Sequence, residues 1–133
     1  MKEIRIRPIV DGLVEGQTLV SPIPISFFGG IDSKTGKIID SENPLYGQTI
    51  ANKIFVFPRC KGSTVGSYTI YGLRVNDVAP IAFIANVAET IVVAGAILAD
   101  IPLVDQPEKD VLCFLKTGDY VILNTQNKII KKK

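Results

Sequence analysis

The chemistry this chain could do gathers in one run, Phe57-Pro58-Arg59-Cys60-Lys61-Gly62-Ser63-Thr64-Val65-Gly66-Ser67. Arg59 and Lys61 bring positive charge, and Ser63, Thr64 and Ser67 bring hydroxyls. Cations and hydroxyls so close together suit a small anion such as a phosphate or carboxylate. The first-turn N–H groups of a helix have no partner inside it, so a strand-to-helix corner adds oriented donors. The elements on either side fit such a corner. Ile54-Phe55-Val56-Phe57 reads as a buried strand, and a helix is predicted over residues 64–76. Pro58 closes the strand, Gly62 permits a sharp turn, and Ser63 falls at the helix N-cap. Ser63 could be a cap and nothing more, or a catalytic hydroxyl; spacing alone leaves both open. Gly-x4-Gly-Lys-Ser/Thr and Gly-x-Gly-x-x-Gly are absent, so this is not a nucleotide loop of either known pattern.

A second candidate is Ser26-Phe27-Phe28-Gly29-Gly30-Ile31-Asp32. Bare backbone at Gly29 and Gly30, beside the Asp32 carboxylate, allows a ligand to approach closely. Asp32 could touch that ligand or simply hold the Gly-Gly loop. Residues 33–37 read as a surface hairpin.

The chain has 133 residues, enough for one domain, 1–133, with a real core. It is 47% hydrophobic and 21% charged, which is globular rather than disordered. A net charge of +2 gives no argument for nucleic acid or membrane. Histidine is absent, which excludes Ser-His-Asp and Cys-His catalysis and the commonest metal ligand. The two cysteines, Cys60 and Cys113, lie far apart, so no metal site within this chain is expected. The reduced thiols and an N-terminus without a signal-like apolar core imply the cytoplasm.

Further elements must position the loop. Residues 2–8 alternate Ile4 and Ile6 with Arg5 and Arg7, as a half-buried strand does. Residues 13–20 continue as irregular structure or strand, with Gly16 marking a turn. Residues 21–25 are extended around two prolines. In the helix after the loop, Val65, Tyr68, Thr69, Gly72 and Leu73 share one side. Residues 81–85 form a strand. The apolar run 91–98 is too short to span a membrane and reads as core, a strand pair or a strand and a short helix. Residues 101–104 are extended, and 111–115 are ambiguous between helix and strand. Residues 120–123 and 128–130 are strands, and Lys131, Lys132 and Lys133 form a solvated end. Many short strands with one or two helices make an α+β domain with barrel-like β/β/α layering.

With these motifs in view, the chain resembles the aconitase X family, in the form whose small subunit is a separate chain in archaea. The resemblance rests on the 26–32 motif, Thr35-Gly36, Asp40, Pro44-Leu45-x-Gly47, Lys61-Gly62-Ser63-Thr64-Val65-Gly66-Ser67, Ala79-Pro80, Gly95-Ala96 and Ile101-Pro102. Related sequences often carry histidine before Pro44-Leu45, where this chain has Asn43. The resemblance implies the swivelling β/β/α domain of aconitases. It implies a hydro-lyase that dehydrates (R)-5-phosphomevalonate to trans-anhydromevalonate 5-phosphate in the archaeal mevalonate route. It further implies a heterodimer in which a large subunit carries a 4Fe–4S cluster that draws off the leaving hydroxyl. By the same resemblance Gly62-Ser63-Thr64 is similar to the Gly-Ser-Ser segment of the aconitase swivel domain, which makes Ser63 the base. Ser67 is the second choice. Arg59, Lys61, Gly62, Thr64, Gly29, Gly30 and Asp32 are then candidates to bind the phosphorylated hydroxy acid.

Two other readings remain open. Relatives also dehydrate hydroxyprolines, although that form is usually fused to its large domain. Alternatively the chain is a non-catalytic module that docks on a partner through residues 91–98 or 26–32.

Overall fold

The computed structural model describes residues 2–62 and 65–133. The chain opens with β1 (Lys2–Arg5) and β2 (Arg7–Val10), separated by Ile6 alone. Then come β3 (Leu13–Val20), a tight turn α1 (Phe27–Gly30), β4 (Ile54–Phe57), α2 (Gly66–Val75), β5 (Ala82–Ala85) and α3 (Thr90–Ala99). β6 (Leu103–Asp105), α4 (Val111–Phe114), β7 (Tyr120–Asn124) and β8 (Ile129–Lys132) complete it. The strands pair in the order β1-β8-β7-β3-β4-β5-β6-β2. β1 and β2 are successive parts of one run of chain, so the two ends of that order meet and the sheet closes into a barrel. The Ile6 N–H donates to the Lys128 carbonyl at 3.0 Å, where the run changes partner from β8 to β6.

One half of the barrel, β3 through β6, is parallel. Parallel neighbours need long crossovers. α2 and α3 are two of them, and residues 21–53 are the third. All four residues of β4 are buried, as a strand covered on both faces must be. Ile54 and Val56 turn inward to Ala82, Ile84, Val104, Val121, Leu123 and Ile130, and α4 adds Val111 and Phe114. Phe55 and Phe57 turn outward with Phe83 beneath Ile70, Leu73, Val92 and Ala96 of the two long helices. Two sheet walls and a helical layer are the expected β/β/α arrangement.

Several local expectations change. β3 runs unbroken through Gly16, which is no turn. A Cβ on Gly16 would stand 2.7 Å from Ile81 Cδ1, the movable end of that side chain, so the bare position gives Ile81 room to pack. The apolar run 91–98 is neither a strand pair nor a strand with a short helix but lies wholly within α3, because parallel β5 and β6 need a crossover there. Residues 111–115 resolve as the turn α4, capped by Asp110, whose side chain accepts from the Leu112 N–H. Lys131 and Lys132 are strand residues rather than a solvated end, paired with β1 and β7. On α2 the buried residues are Gly66, Ile70 and Leu73, whereas Tyr68, grouped with Leu73 on one side by the spacing, is 72% exposed. α2 begins at Gly66, not residue 64, and its N-cap is Val65 rather than Ser63.

Candidate active site

The carboxyl ends of β3, β4, β5 and β6 lie at one end of the barrel. In parallel sheets ligands bind at such ends, where the loops diverge. The loop leaving β4 is held from both sides. The Ile25 N–H donates to the Arg59 carbonyl at 3.0 Å, and the Lys61 N–H donates to the Ile25 carbonyl at 2.8 Å. Opposite, the Asn86 and Val87 N–H groups donate to the Pro58 carbonyl at 3.1 and 3.2 Å. A Glu89 carboxylate oxygen accepts from the Cys60 N–H at 3.2 Å. Residues 59–61 are therefore extended, with side chains alternating. Cys60 is buried while Arg59 and Lys61 are exposed. Two cations thus stand on the same open side.

Cys60 is no nucleophile. Burial first, then the charge and hydrogen bond of Glu89, push its thiol up to about 11, so it stays protonated at neutral pH. This agrees with a packed thiol. Gly62 has φ +92, a left-handed conformation that favours glycine. Its missing Cβ would lie 3.4 Å from Ser26 Oγ, so the β4–α2 loop touches the segment containing the second motif. Gly66 packs there too, its Cβ position 3.0 Å from Ile91 Cγ2 and 3.5 Å from Phe27 Cβ.

The second motif is built around Phe27, whose ring sits edge-on to Phe57 and Phe83 at 5.6 and 5.5 Å. With that ring anchored, Phe28 (φ −80, ψ 118) and Gly29 (φ 85, ψ −16) take the dihedrals of a type II turn, which needs glycine second. The Ser26 hydroxyl donates to the Phe28 carbonyl at 2.7 Å and fastens the turn. Gly29 is exposed, with nothing within 4 Å of where its Cβ would be, while Gly30 is buried. Asp32 accepts from the Lys34 N–H at 2.9 Å and the Thr35 hydroxyl at 3.1 Å, so its two oxygens brace the following turn. Ser67 is the second residue of α2 and half-buried. Ser63 and Thr64 themselves lie outside the described residues. Asn43, at the position where the resemblance leads one to expect histidine, is buried. It donates to Ser21 Oγ at 3.1 Å and accepts from the Leu45 N–H at 2.9 Å, a tie within the fold.

A family model described as the aconitase X swivel domain matches residues 3–132. The chain belongs to the aconitase X swivel-domain family. It is similar to the phosphomevalonate dehydratase small subunit of Thermococcus kodakarensis, 53% identical over 87% of this chain and 85% of that one. It is also similar to the protein of that name from Methanococcoides burtonii, 45% identical over 97% of this chain and 94% of the relative. Among solved structures it superposes on a chain of the holo-form crystal structure of Thermococcus kodakaraensis aconitase X. That match has TM-score 0.95 and 47% identity and covers 100% of this chain and 99% of the other.

The residues of this swivel domain do not fit an iron–sulfur cluster, which takes four thiolates as a rule. The chain has two cysteines, Cys60, buried with its thiol held protonated, and Cys113, exposed. Among the described residues no group of three or more His, Cys, Asp or Glu side chains could hold a metal ion. Nor, among them, is any helix long and apolar enough to cross a membrane. Sequence reasoning passed over Glu89 and Ser26 as individual site residues. Glu89 gave one signal, an acidic residue just before an apolar helix; Ser26 was visible only within its motif.

Proposed function

We propose that this chain is the small subunit of a cytoplasmic hydro-lyase that removes water from (R)-5-phosphomevalonate. The product is trans-anhydromevalonate 5-phosphate, an intermediate of the archaeal mevalonate route to isoprenoids. The observation that carries this reading is the pair of relatives named phosphomevalonate dehydratase small subunit, each matched over most of its length. A larger subunit completes the enzyme as a heterodimer and carries the 4Fe–4S cluster, for which this chain has no ligand set. On this chain Ser63 is the base that takes the substrate's proton. A serine hydroxyl serves only if its deprotonated form is stabilised, and the exposed Arg59 and Lys61 supply positive potential. The same two cations, with Thr64, meet the phosphate and carboxylate of the substrate. Gly29 presents exposed bare backbone from the second motif, Gly30 is buried there with its carbonyl taken by the Ile39 N–H, and Gly62 permits the loop's path. Ser67, in the first turn of α2, and Asp32 complete the proposed binding set.

Anaerobic co-expression with the large-subunit candidate, followed by a dehydration assay on 5-phosphomevalonate, tests the proposal. Turnover that requires both chains is expected. Ser63→Ala should leave folding and assembly intact and lower turnover by roughly 10²–10⁴-fold, the usual worth of an acid–base group. Normal turnover by that variant would sink the base assignment. A complex inactive on this substrate would redirect the search to other hydroxy acids, and no complex at all would revive the docking-module reading.

A further inference from the structure

We propose that Glu89 is a positioning residue: by holding Cys60 it sets where Arg59 and Lys61 stand for the anionic groups of the substrate. The inference rests on the reading of residues 58–62 as substrate-facing. Glu89 occupies the N-cap of α3, where an acidic side chain could accept from its own helix and gain from the dipole. It makes no such bond. Its carboxylate is turned across to the β4–α2 loop, where it accepts from the Cys60 N–H at 3.2 Å. The segment that carries it is firmly mounted. The Ala88 N–H donates to Asp105 Oδ2 at 2.9 Å. Asp105 is wholly buried and takes Arg7 in a bidentate pair at 2.8 and 3.0 Å. Asn86 donates to Asp110 Oδ1 and accepts from the Val111 N–H, both at 2.9 Å. Glu89 thus connects a rigid mount on β2, β6 and α4 to one loop residue. That residue is flanked by the two exposed cations, and on its other side Ile25 pairs with the backbone. With Cys60 fixed by Glu89 and Ile25 together, neighbours on one face of an extended segment stand about 6–7 Å apart. That spacing lets both cations reach one phosphate or carboxylate.

Two variants separate positioning from ordinary stability. Glu89→Asp keeps the charge and is a good N-cap, so folding should be retained, but the shorter side chain cannot reach Cys60. Glu89→Gln loses the charge but keeps an oxygen that can accept the same N–H. In the two-chain complex, Glu89→Asp should raise KM for 5-phosphomevalonate roughly tenfold, the scale of one lost hydrogen bond, and change kcat less. Glu89→Gln should stay near wild type. In the full small chain alone, amide exchange over residues 59–62 should speed up in Glu89→Asp and be restored in Glu89→Gln. Unchanged KM in Glu89→Asp overturns the inference, as does an equal loss in both variants. If the wild-type complex does not turn over 5-phosphomevalonate, the functional reading fails by itself. The exchange measurement then decides the tether, and unchanged exchange in Glu89→Asp sinks it.

Discussion

Gly95→Ala pits helix propensity against packing, and the structure decides which wins. Gly95 lies on α3 where it crosses α2, buried against Ile70. A Cβ there would stand 2.7 Å from Ile70 Cδ1, 2.8 Å from Ile70 Cβ and 3.2 Å from Ile70 Cγ2. The Cδ1 can rotate away; the Ile70 Cβ is tied to the backbone of α2 and cannot. Carbon atoms rest about 3.5–4.0 Å apart, so the two helices would have to separate by about 1 Å. In favour of the substitution, alanine exceeds glycine in a helix by about 1 kcal/mol. The buried methyl adds about 0.8 kcal/mol. Against it stands overpacking in a close-packed core, which typically costs about 1–3 kcal/mol. The immovable Ile70 Cβ puts the cost at the upper end, so we expect a net loss of about 1 kcal/mol, read as a lower urea midpoint with an unchanged slope. Adding Ile70→Ala should give a double variant that loses less than the sum of the singles, by roughly 0.5–3 kcal/mol. A neutral or stabilised Gly95→Ala would refute the reasoning, because it would mean that the helices part freely. The substitution should also reach the site, since Gly66, at the start of the displaced helix, packs on Ile91 and Phe27.

Gly62→Ala meets no hard clash, with Ser26 Oγ 3.4 Å away, so its cost is the left-handed backbone at φ +92, about 1–2 kcal/mol. The loop is exposed and should relax rather than unfold the chain. Turnover by the two-chain complex should fall roughly 5–30-fold with little change in the unfolding midpoint; unaltered turnover would show that this loop conformation is not the active one. A thiol reagent at neutral pH should label Cys113 and spare Cys60. The folded Cys60 thiol holds its proton up to about 11 against 9.0 for the ordinary group, so its contribution is complete below pH 9 and lost as pH rises toward 11. Between pH 8 and 10.5 wild type should therefore lose up to about 2 kcal/mol more than Cys60→Ala in denaturant titrations, and parallel losses would contradict the raised thiol.

What could be read locally was legible, and what depended on closure was not. Ile54-Phe55-Val56-Phe57 reads as a doubly buried strand because four apolar residues between turn signals have few other uses. The 26–32 and 61–67 motifs carried the family, and with it the swivelling fold. Gly16 misled because a glycine in a strand pattern is the same letter whether it marks a turn or clears room for Ile81, the residue just before β5. The start of α2 misled because serine is the better cap by propensity, while close packing of Gly66 on Ile91 and Phe27 accompanies a later start. The apolar run of α3 became decidable only once β5 and β6 were known to be parallel. The largest gap concerns the loop itself. Its cations, glycine and hydroxyls were visible in one line of sequence, but their mount was not. Glu89 is 29 residues from Cys60, and Asp105 is 98 from Arg7. Such partners meet only because β4, β5 and β6 lie side by side in a barrel that closes at Ile6. The residue types of the site are thus a local property of the chain, while their aim is a property of the barrel. Substitutions at Glu89 that break its hold on Cys60 should disturb the site although no motif contains it.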